Sequence, residues 1–158
     1  MARVIPDGEV RISEVATIAD TTAPTAAEIA AGTDITPFIQ SIETPLEGNR
    51  VPSGDLASAF RKTSPGKFGG DVTMDIHRGT VALDDTAYDL FPRDTQTHIV
   101  IRRFGGSTVA IIAADVVEVW PVRVVTRSPH SLEEEALQMV TVDMAATDAP
   151  DIDVAVAA

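Results

Sequence analysis

The sequence predicts a mainly β protein, a β-sandwich or barrel-like domain with one or two short flanking helices. Strand-like segments recur along the chain, and loops rich in Pro, Gly, Asp and Thr separate them. The chain is rich in hydrophobic residues, at 44%, and it contains no cluster of catalytic side chains. We therefore expect a protein that contacts other subunits rather than an enzyme. The predicted strands are Val10–Ile18, Ile35–Ile42, Val72–Arg78, His98–Phe104, Val116–Thr126 and Leu137–Met144.

The length and the residue types indicate a single domain that is soluble. A chain of 158 residues is long enough to bury one sizeable core, so we expect one domain over residues 1–158. The absence of cysteine excludes a disulfide framework and a thiolate metal site. The sequence shows neither a secretory signal nor an apolar run of about 20 residues, the length that spans a bilayer. We expect synthesis in the cytoplasm and no membrane insertion.

The net charge of −12 is concentrated in the two end regions of the sequence. Residues 1–50 hold three basic residues and eight acids, residues 51–127 hold nine of each, and residues 128–158 hold seven acids and no Lys or Arg. This acidity argues against a nucleic-acid ligand, because phosphate binding needs a positive field. It is compatible with a wall along which nucleic acid slides without binding, and also with solubility alone.

Residue alternation predicts how the strands are buried. Apolar and polar residues alternate in Val72–Arg78, which indicates one buried and one wet face. His98–Phe104 has apolar residues on both sides, so we expect a central strand. Val116–Thr126 is also apolar on both faces, and it contains Pro121, which belongs at an edge, a bulge or a bend. Leu137–Met144 is expected to return antiparallel to it.

Two short helices are predicted. Thr25 and Glu28 have the spacing of a capping box, and Gly32 is expected to end that helix after about two turns. Asp84 is expected to cap the second helix, and Pro92 to end it. Apolar residues recur along this second helix at helical spacing, so one side of it is expected to lie on a sheet. They are Leu83, Ala87, Leu90 and Phe91.

Three segments are expected to lie outside the regular core. They are a flexible N-terminal arm, a long loop over residues 44–70 and an extended C-terminal tail over residues 148–158. The loop is rich in Pro and Gly, and Asp55–Lys62 is a candidate strand that would make it an extended hairpin. The tail has no clear packing pattern and is expected to order only against a neighbouring subunit. The basic residues of the loop are Arg50, Arg61, Lys62 and Lys67.

No group of residues predicts catalysis, a bound metal or a cofactor. His77, His98 and His130 do not have metal-ligand spacing. His77 and Asp75, two residues apart on one strand face, could form a metal pair, but a solvent-facing strand histidine is the simpler interpretation of His77. The sequence contains no glycine-rich phosphate loop and no nucleophile elbow. The pair Arg102–Arg103 points to opposite faces of its strand, and a salt bridge to an acidic neighbour is expected for it.

Five segments carry a resemblance to a known family. Ala23–Thr36 looks like a connection from an early strand to the next, and Leu83–Phe91 looks like a helix that covers a sheet. His98–Arg102 and Asp115–Arg123 look like paired long strands, and Val154–Ala158 is a similar ending. Together they resemble, over nearly the whole chain, the major tail tube proteins of bacteriophages with long, non-contractile tails.

The resemblance implies a structural protein of the virion tail. In that family six subunits close into a ring whose inner strands form a continuous barrel, and rings stack into a hollow tube that conducts DNA into the host. It implies assembly in the host cytoplasm, with a tape-measure protein, a tail terminator and a distal tail protein as partners. DNA is expected to pass without specific binding. Many relatives add a C-terminal immunoglobulin-like domain, which we do not expect here.

The resemblance also gives roles to the residues named above. Arg50, Arg61, Lys62 and Lys67 are candidates for contacts between rings, and Asp75 is the candidate carboxylate of the lumen. Two other interpretations stay open: a related tube of a contractile tail or a secretion system, and a small β-barrel binding module. An enzyme that uses a histidine with acidic neighbours is a third.

Overall fold

The structure, a computed structural model, describes residues 8–53, 63–79, 85–132 and 137–158. Within these ranges the chain forms nine β-strands and two short α-helices, which confirms the predicted fold class. The helices are α1 (Ala26–Ala31) and α2 (Thr86–Leu90), and a single 3-10 turn covers Thr36–Phe38. The strands are β1 (Arg11–Val15), β2 (Thr33–Asp34), β3 (Ile39–Glu43), β4 (Leu46–Pro52), β5 (Thr63–His77), β6 (Gln96–Arg102), β7 (Val116–Pro129), β8 (Met139–Ala146) and β9 (Asp151–Ala155).

The strands of the described ranges form one antiparallel sheet, in the order β2-β1-β6-β7-β8-β5-β3. β6 lies between β1 and β7, as expected for a central strand. β8 returns antiparallel to β7, as predicted, and β9 pairs with the start of β7. β4 pairs with Thr63–Gly70, the part of β5 that continues beyond the end of β8. We call β4 and Thr63–Gly70 the hairpin arm.

β7 changes partner along one of its sides, and Pro121 lies at the change. Val116–Val119 pair with β9, whereas Val122–Pro129 pair with β8. The carbonyl of Pro121 accepts a hydrogen bond from the N–H of Thr147, between β8 and β9, at 2.9 Å. In an antiparallel ladder the N and O of one residue point to the same side, so the missing N–H of Pro121 costs no bond to β6. Pro121, expected at an edge, a bulge or a bend, therefore lies where β7 changes from one partner strand to the other.

The main core lies on one face of the sheet. β5 shows the predicted alternation: Val72, Met74 and Ile76 are fully buried, and the residues between them are partly exposed. Trp120 on β7 is the largest of the fully buried side chains. The cluster is completed by Ile12, Ile35, Ala87, Phe91, Ile99, Ile101, Val122, Val124, Val140, Val142 and Met144.

Helix α2 covers this core with part of the predicted apolar stripe. Ala87 and Phe91 are fully buried. Asp84, the predicted cap, lies outside the described residues. Its neighbour Asp85 precedes the helix, but its side chain does not cap α2. The Asp85 carboxylate instead accepts from the Nε and the Nη2 of Arg78, each at 2.9 Å.

A second, smaller core lies on the opposite face and covers only part of it. Helix α1 contributes Ile29 and the C-terminal segment contributes Val156, which pack with Val100 and Val119 of the sheet. Both faces of β6 from Ile99 onward and of β7 over residues 117–122 are buried for this reason. On the same face, the side chains of β3, of β8 and of the end of β7 are partly or fully exposed. The cluster also contains Val15, Ile18, Ile111 and Val117.

Helix α1 begins with the predicted capping box and ends at the predicted glycine. The Oγ1 of Thr25 accepts from the N–H of Glu28 at 3.2 Å, and the Glu28 carboxylate accepts from the N–H of Thr25 at 2.9 Å. Gly32 has φ −77° and ψ 179°, an extended conformation rather than the left-handed one common after helices. Glycine suits this place because a Cβ would lie 2.3 Å from the carbonyl oxygen of Glu14 on β1.

Two predicted segments differ in the structure. Ile35–Ile42 is not one strand, because the 3-10 turn Thr36–Phe38 precedes β3. The cause is Pro37, which has no N–H to donate and whose fixed φ suits the first turn of a helix. The segment over residues 44–70 is a hairpin as suggested, but its described strands are β4 and the start of β5. The candidate strand Asp55–Lys62 lies outside the described residues.

The C-terminal tail differs from the expectation that it orders only against a neighbour. It forms β9 along β7, and the N–H of Ala157 donates to the carbonyl of Pro24 at 2.8 Å. Val156 is buried in the second core. The sequence pattern missed this packing because main-chain hydrogen bonds hold most of the segment, and such bonds leave no signature in the side chains.

Candidate functional site

The sheet presents a broad polar surface where the second core ends. Strands β3, β5, β8 and β7 contribute to it, and their registers align polar side chains in rows that run across the strands. We call these rows the polar face. The first row is Ser41, Asp75, Thr141 and Ser128, the second is Glu43, Thr73, Asp143 and Thr126, and the third is Asp71, Ala145 and Arg123.

Asp75 lies in the first row, on the wet face of β5 as the sequence predicts. Its carboxylate accepts from the hydroxyl of Thr141 at 2.6 Å and from the hydroxyl of Ser41 at 2.9 Å. The Nε2 of His130 lies 3.3 Å from the same carboxylate. The hydrogen bond from Thr141 is the main reason that the pKa of Asp75 lies below its usual value of 3.8. Asp75 is therefore ionised at neutral pH, and its side chain remains 29% exposed.

The polar face carries more negative than positive charge. Its three rows contain four carboxylates, those of Glu43, Asp71, Asp75 and Asp143, and one guanidinium, that of Arg123. Such a surface repels phosphate groups over roughly 8–10 Å, the Debye length at physiological salt. The arrangement can keep water and counterions at the surface, but it does not attract a polyanion.

The hairpin arm is a second exposed feature of the described chain. It continues β5 beyond the end of β8, and its side chains are exposed along β4. Arg50 and Lys67 lie on its two strands, and neither has an ion-pair partner among the described residues. The structure thus places two of the predicted contact residues on one exposed element. Arg61 and Lys62 lie outside the described residues.

The two arginines at the end of β6 form the expected salt bridges. Arg102 pairs with Asp115, with 2.7 Å between Nη1 and Oδ2. Arg103 pairs with Glu118. Both pairs join neighbouring segments of the same chain, so they serve the fold rather than a ligand.

The described residues hold no group of three His, Cys, Asp or Glu side chains that could bind a metal ion. His77 and His98 lie on different strands, and His130 follows β7. As for membranes, no helix in the described part of the chain has the length and apolarity that a bilayer crossing needs. What the described residues offer is therefore exposed surface, without a metal-binding cluster.

Sequence reasoning found one carboxylate of the polar face and missed three. Alternation along β5 places Asp71 on the same face as Asp75, and this signal was available in the sequence. Asp143 lies on β8 at an alternating position, but its alignment with β5 depends on which strands pair. Glu43 was missed because the strand that holds it was placed too early in the chain.

Comparison with known proteins identifies the family. A family model described as phage tail tube protein matches residues 1–158. Among curated protein sequences, none matches this chain.

Solved structures of similar fold come from phage-like particles. A chain in the tail of an empty gene transfer agent particle, determined with C6 symmetry, has a TM-score of 0.58 and 11% identity. The match covers 96% of this chain and 98% of that one. A chain in the sheath–tube complex of PVC, an extracellular contractile injection system in its extended state, has a TM-score of 0.60 and 13% identity. That match covers 96% of this chain and 92% of that one.

These matches agree with the expectation of a structural protein. Identities this low show a shared fold, while the family model covers the full sequence and carries the assignment. The family consists of structural tube proteins and not of enzymes, as the sequence predicted. The chain belongs to the phage tail tube protein family.

Proposed function

We propose that this protein builds a phage tail tube from stacked hexameric rings and that the tube conducts DNA. Family membership supports the role as a tube subunit. The fold shared with a chain of a C6-symmetric tail supports sixfold rings. The site of action is then the virion tail, after assembly in the host cytoplasm.

The polar face carries the proposal, because it has the properties that the wall of a DNA channel needs. A channel wall has to be wetted, and it must not hold phosphate groups. The polar face is wetted because the second core does not extend over it, and it bears four carboxylates against one arginine. Release of counterions, the usual drive for DNA binding, is unavailable at an acidic wall. We therefore assign the polar face, with Asp75 in its first row, to the lumen.

The hairpin arm is assigned to the contact between rings. It is exposed, and its described cations Arg50 and Lys67 have no partner in the described part of the same chain. Arg61 and Lys62, of the same segment in the sequence, are assigned to the same contact. A tape-measure protein inside the tube, a tail terminator and a distal tail protein are the further partners.

The tail is proposed to be non-contractile, on the resemblance found in the sequence. A tube inside a contractile sheath is the second candidate, and the likeness to a chain of the PVC sheath–tube complex favours it. The two candidates share the tube and differ in what surrounds it. Microscopy of whole particles distinguishes them, because a sheath adds a second layer around the tube.

The test is electron microscopy of the purified protein, concentrated alone and mixed with its tape-measure protein. We expect hollow tubes of sixfold rings whose inner wall is the polar face and is net negative. Compact monomers or dimers under both conditions would overturn the tube and favour a small binding module. Tubes with a neutral or positive lumen would overturn the assignment of the polar face and leave the tube in place.

A further inference from the structure

We propose that His130 makes the charge of the polar face depend on pH, so that the tube repels DNA less in mildly acidic surroundings than at neutral pH. This inference rests on the proposed function, which assigns the polar face to the lumen. His130 directly follows β7, at the end of the face where β7 ends and β8 begins. Its side chain is 38% exposed and lies next to Asp75 of the first row.

One hydroxyl group connects His130 to Asp75. The Oγ1 of Thr141 donates to the Asp75 carboxylate at 2.6 Å, and it lies 2.7 Å from the Nε2 of His130. A hydroxyl has a single proton, so an Oγ1 that donates to Asp75 can only accept from His130. The neutral ring of His130 therefore carries its proton on Nε2.

This arrangement can take up a second proton without the loss of a hydrogen bond. The new proton binds to Nδ1, because Nε2 already holds one and both nitrogens of a charged histidine ring are donors. The positive charge then lies beside the Asp75 carboxylate, whose Oδ1 is 3.3 Å from Nε2. The charged ring and the carboxylate form an ion pair that spans β8.

Asp75 stays ionised over the range in which histidine changes its charge. Histidine side chains ordinarily take up a proton between about pH 8 and pH 5. The pKa of Asp75 lies below its usual value of 3.8, chiefly because Thr141 donates a hydrogen bond to its carboxylate. A pH change within the histidine range therefore acts on His130 and leaves the charge of Asp75 in place.

The two arginines near His130 are held on the opposite face of the sheet. Arg78 and His130 line the same cleft, but the Arg78 guanidinium pairs with Asp85. The guanidiniums of Arg78 and Arg127 both stack on the ring of Tyr88, at 3.6 and 4.3 Å from its centre. Tyr88 belongs to α2, which covers the main core, so neither cation competes for Asp75. Further groups on the neighbouring strands are Asp75 and His77 of β5, Asp143 of β8 and Glu43 of β3, while Glu133–Glu135 lie outside the described residues.

His77 lies on the same side of the sheet in a different environment. It pairs with Met139, whose carbonyl accepts from the N–H of His130, so the two histidines flank Met139. The Nδ1 of His77 is buried and has no hydrogen-bond partner among the described residues. A charged ring would place an N–H there without an acceptor, which is unfavourable. We therefore assign the pH response to His130.

Protonation of His130 lowers the net charge of the polar face in magnitude. At neutral pH the face has four carboxylates and one guanidinium, a net charge of −3 per copy. A charged His130 changes this to −2, which removes one net negative charge from every copy of a ring. The repulsion of phosphate groups by the wall, which extends over roughly the Debye length of 8–10 Å, becomes weaker.

Carbon NMR of the Asp75 carboxyl group tests the proton site in the free subunit. The pH is lowered from about 7.5 to about 5.5, the range in which histidine gains its charge. We expect the Asp75 signal to shift in one step in the wild type and to stay constant in His130→Gln. The glutamine keeps an N–H donor for Thr141 but cannot become charged. A constant signal in the wild type, or a step that persists in His130→Gln, would overturn the inference.

His77→Gln is the matched control, because it makes the same change on the same side of the sheet. Its Asp75 signal is expected to show the step of the wild type. If the step disappears in His77→Gln and remains in His130→Gln, the response belongs to His77 and the role of His130 is wrong.

Sedimentation of assembled tubes with short duplex DNA at low salt tests the effect on the channel. We expect wild-type tubes to carry more DNA into the pellet at the lower pH, and this difference to disappear in His130→Gln. Equal amounts of DNA with wild-type tubes at both pH values would overturn the effect on the channel. If the wild type forms no tubes, the proposed function fails, whereas the Asp75 signal of the free subunit still decides whether His130 is a proton site.

Discussion

Gly32 makes a close contact between helix α1 and strand β1. A Cβ at this position would lie 2.3 Å from the carbonyl oxygen of Glu14 and 2.8 Å from the Cγ2 of Val15. The nearer obstacle is the main chain of β1, which pairs with β2 on one side and β6 on the other. The strand cannot shift without disturbing both ladders, so only glycine allows the chain to pass here.

Gly32→Ala is expected to lower the free energy of unfolding by about 1–3 kcal/mol, the usual cost of forcing extra atoms into packed space. Gly48→Ala is the control, because no atom lies within 4 Å of a Cβ built at that residue. Chemical denaturation of the two variants and the wild type measures the difference. Equal stabilities of the two variants would mean that β1 adapts to the methyl group.

Asp75 links the stability of the subunit to pH. Hydrogen bonds from Thr141 and Ser41 place its pKa in the folded protein below the ordinary value of 3.8. The stabilisation is fully present above the ordinary value and is lost as the pH falls through the pKa of the folded state. We expect Asp75→Asn to unfold more easily at pH 7 and to lose less stability than the wild type between about pH 5 and pH 2. Thermal unfolding across this range measures the effect, and parallel curves would contradict it.

The loop over residues 103–115 is an element organised by one buried cation. The side chain of Arg102 is 4% exposed, and it forms the salt bridge with Asp115. Its guanidinium also donates to the carbonyls of Gly106 and Val109, each at 2.7 Å. The planar group satisfies several acceptors at once, which a lysine cannot do. The loop is therefore ordered by polar contacts at its centre, while apolar side chains face outward.

Arg102→Met is expected to lower the free energy of unfolding by about 3 kcal/mol or more, because it removes the salt bridge to Asp115 and the hydrogen bonds that the guanidinium donates to the loop carbonyls. Arg102→Lys should recover only part of this loss. The control is Arg123→Met, since Arg123 is exposed and makes one long hydrogen bond, 3.5 Å to the Oε1 of Gln96. Denaturant unfolding compares the three variants. A loss for Arg123→Met as large as for Arg102→Met would show that burial of the cation has no special role.

The whole subunit has an uneven distribution of charge that suits end-to-end stacking. A basic segment, residues 44–70, lies within an acidic chain. Its described part is the hairpin arm at one end of the sheet, and the polar face lies along the flank of the same sheet. If the proposed function holds, each copy offers a basic projection to neighbouring copies and an acidic surface to the channel.

Reversal of the arm's charge tests this arrangement. Arg50→Glu combined with Lys67→Glu is expected to impair the stacking of rings and to leave the unfolding of the free subunit unchanged, because both side chains are exposed. The defect should be larger at low salt, where charges are screened less. Glu47→Lys is the matched control on the same arm, and its tubes should form normally. Sedimentation and microscopy measure assembly, and normal tubes from the double variant would rule out a stacking role for these cations.

Features with a short-range cause could be predicted from the sequence. The capping box of Thr25 and Glu28, the alternation along β5 and the two-sided burial of β6 all depend on residues within a few positions of each other. The helical turn or the strand pleat that contains each of these residues determines whether its side chain is buried, so the sequence of that one segment holds the whole pattern. The mainly β class and the wet position of Asp75 followed from such patterns.

Features that depend on which strands become neighbours could not be predicted in this way. The acids of the polar face come from three strands, and only the registers of β3, β5 and β8 bring Glu43 and Asp143 beside the row of Asp75. The place of β9 depends on the gap that β8 leaves along β7. Local residue preferences do not encode these pairings, because the partners are far apart in the sequence and meet through main-chain hydrogen bonds that nearly every residue type can form.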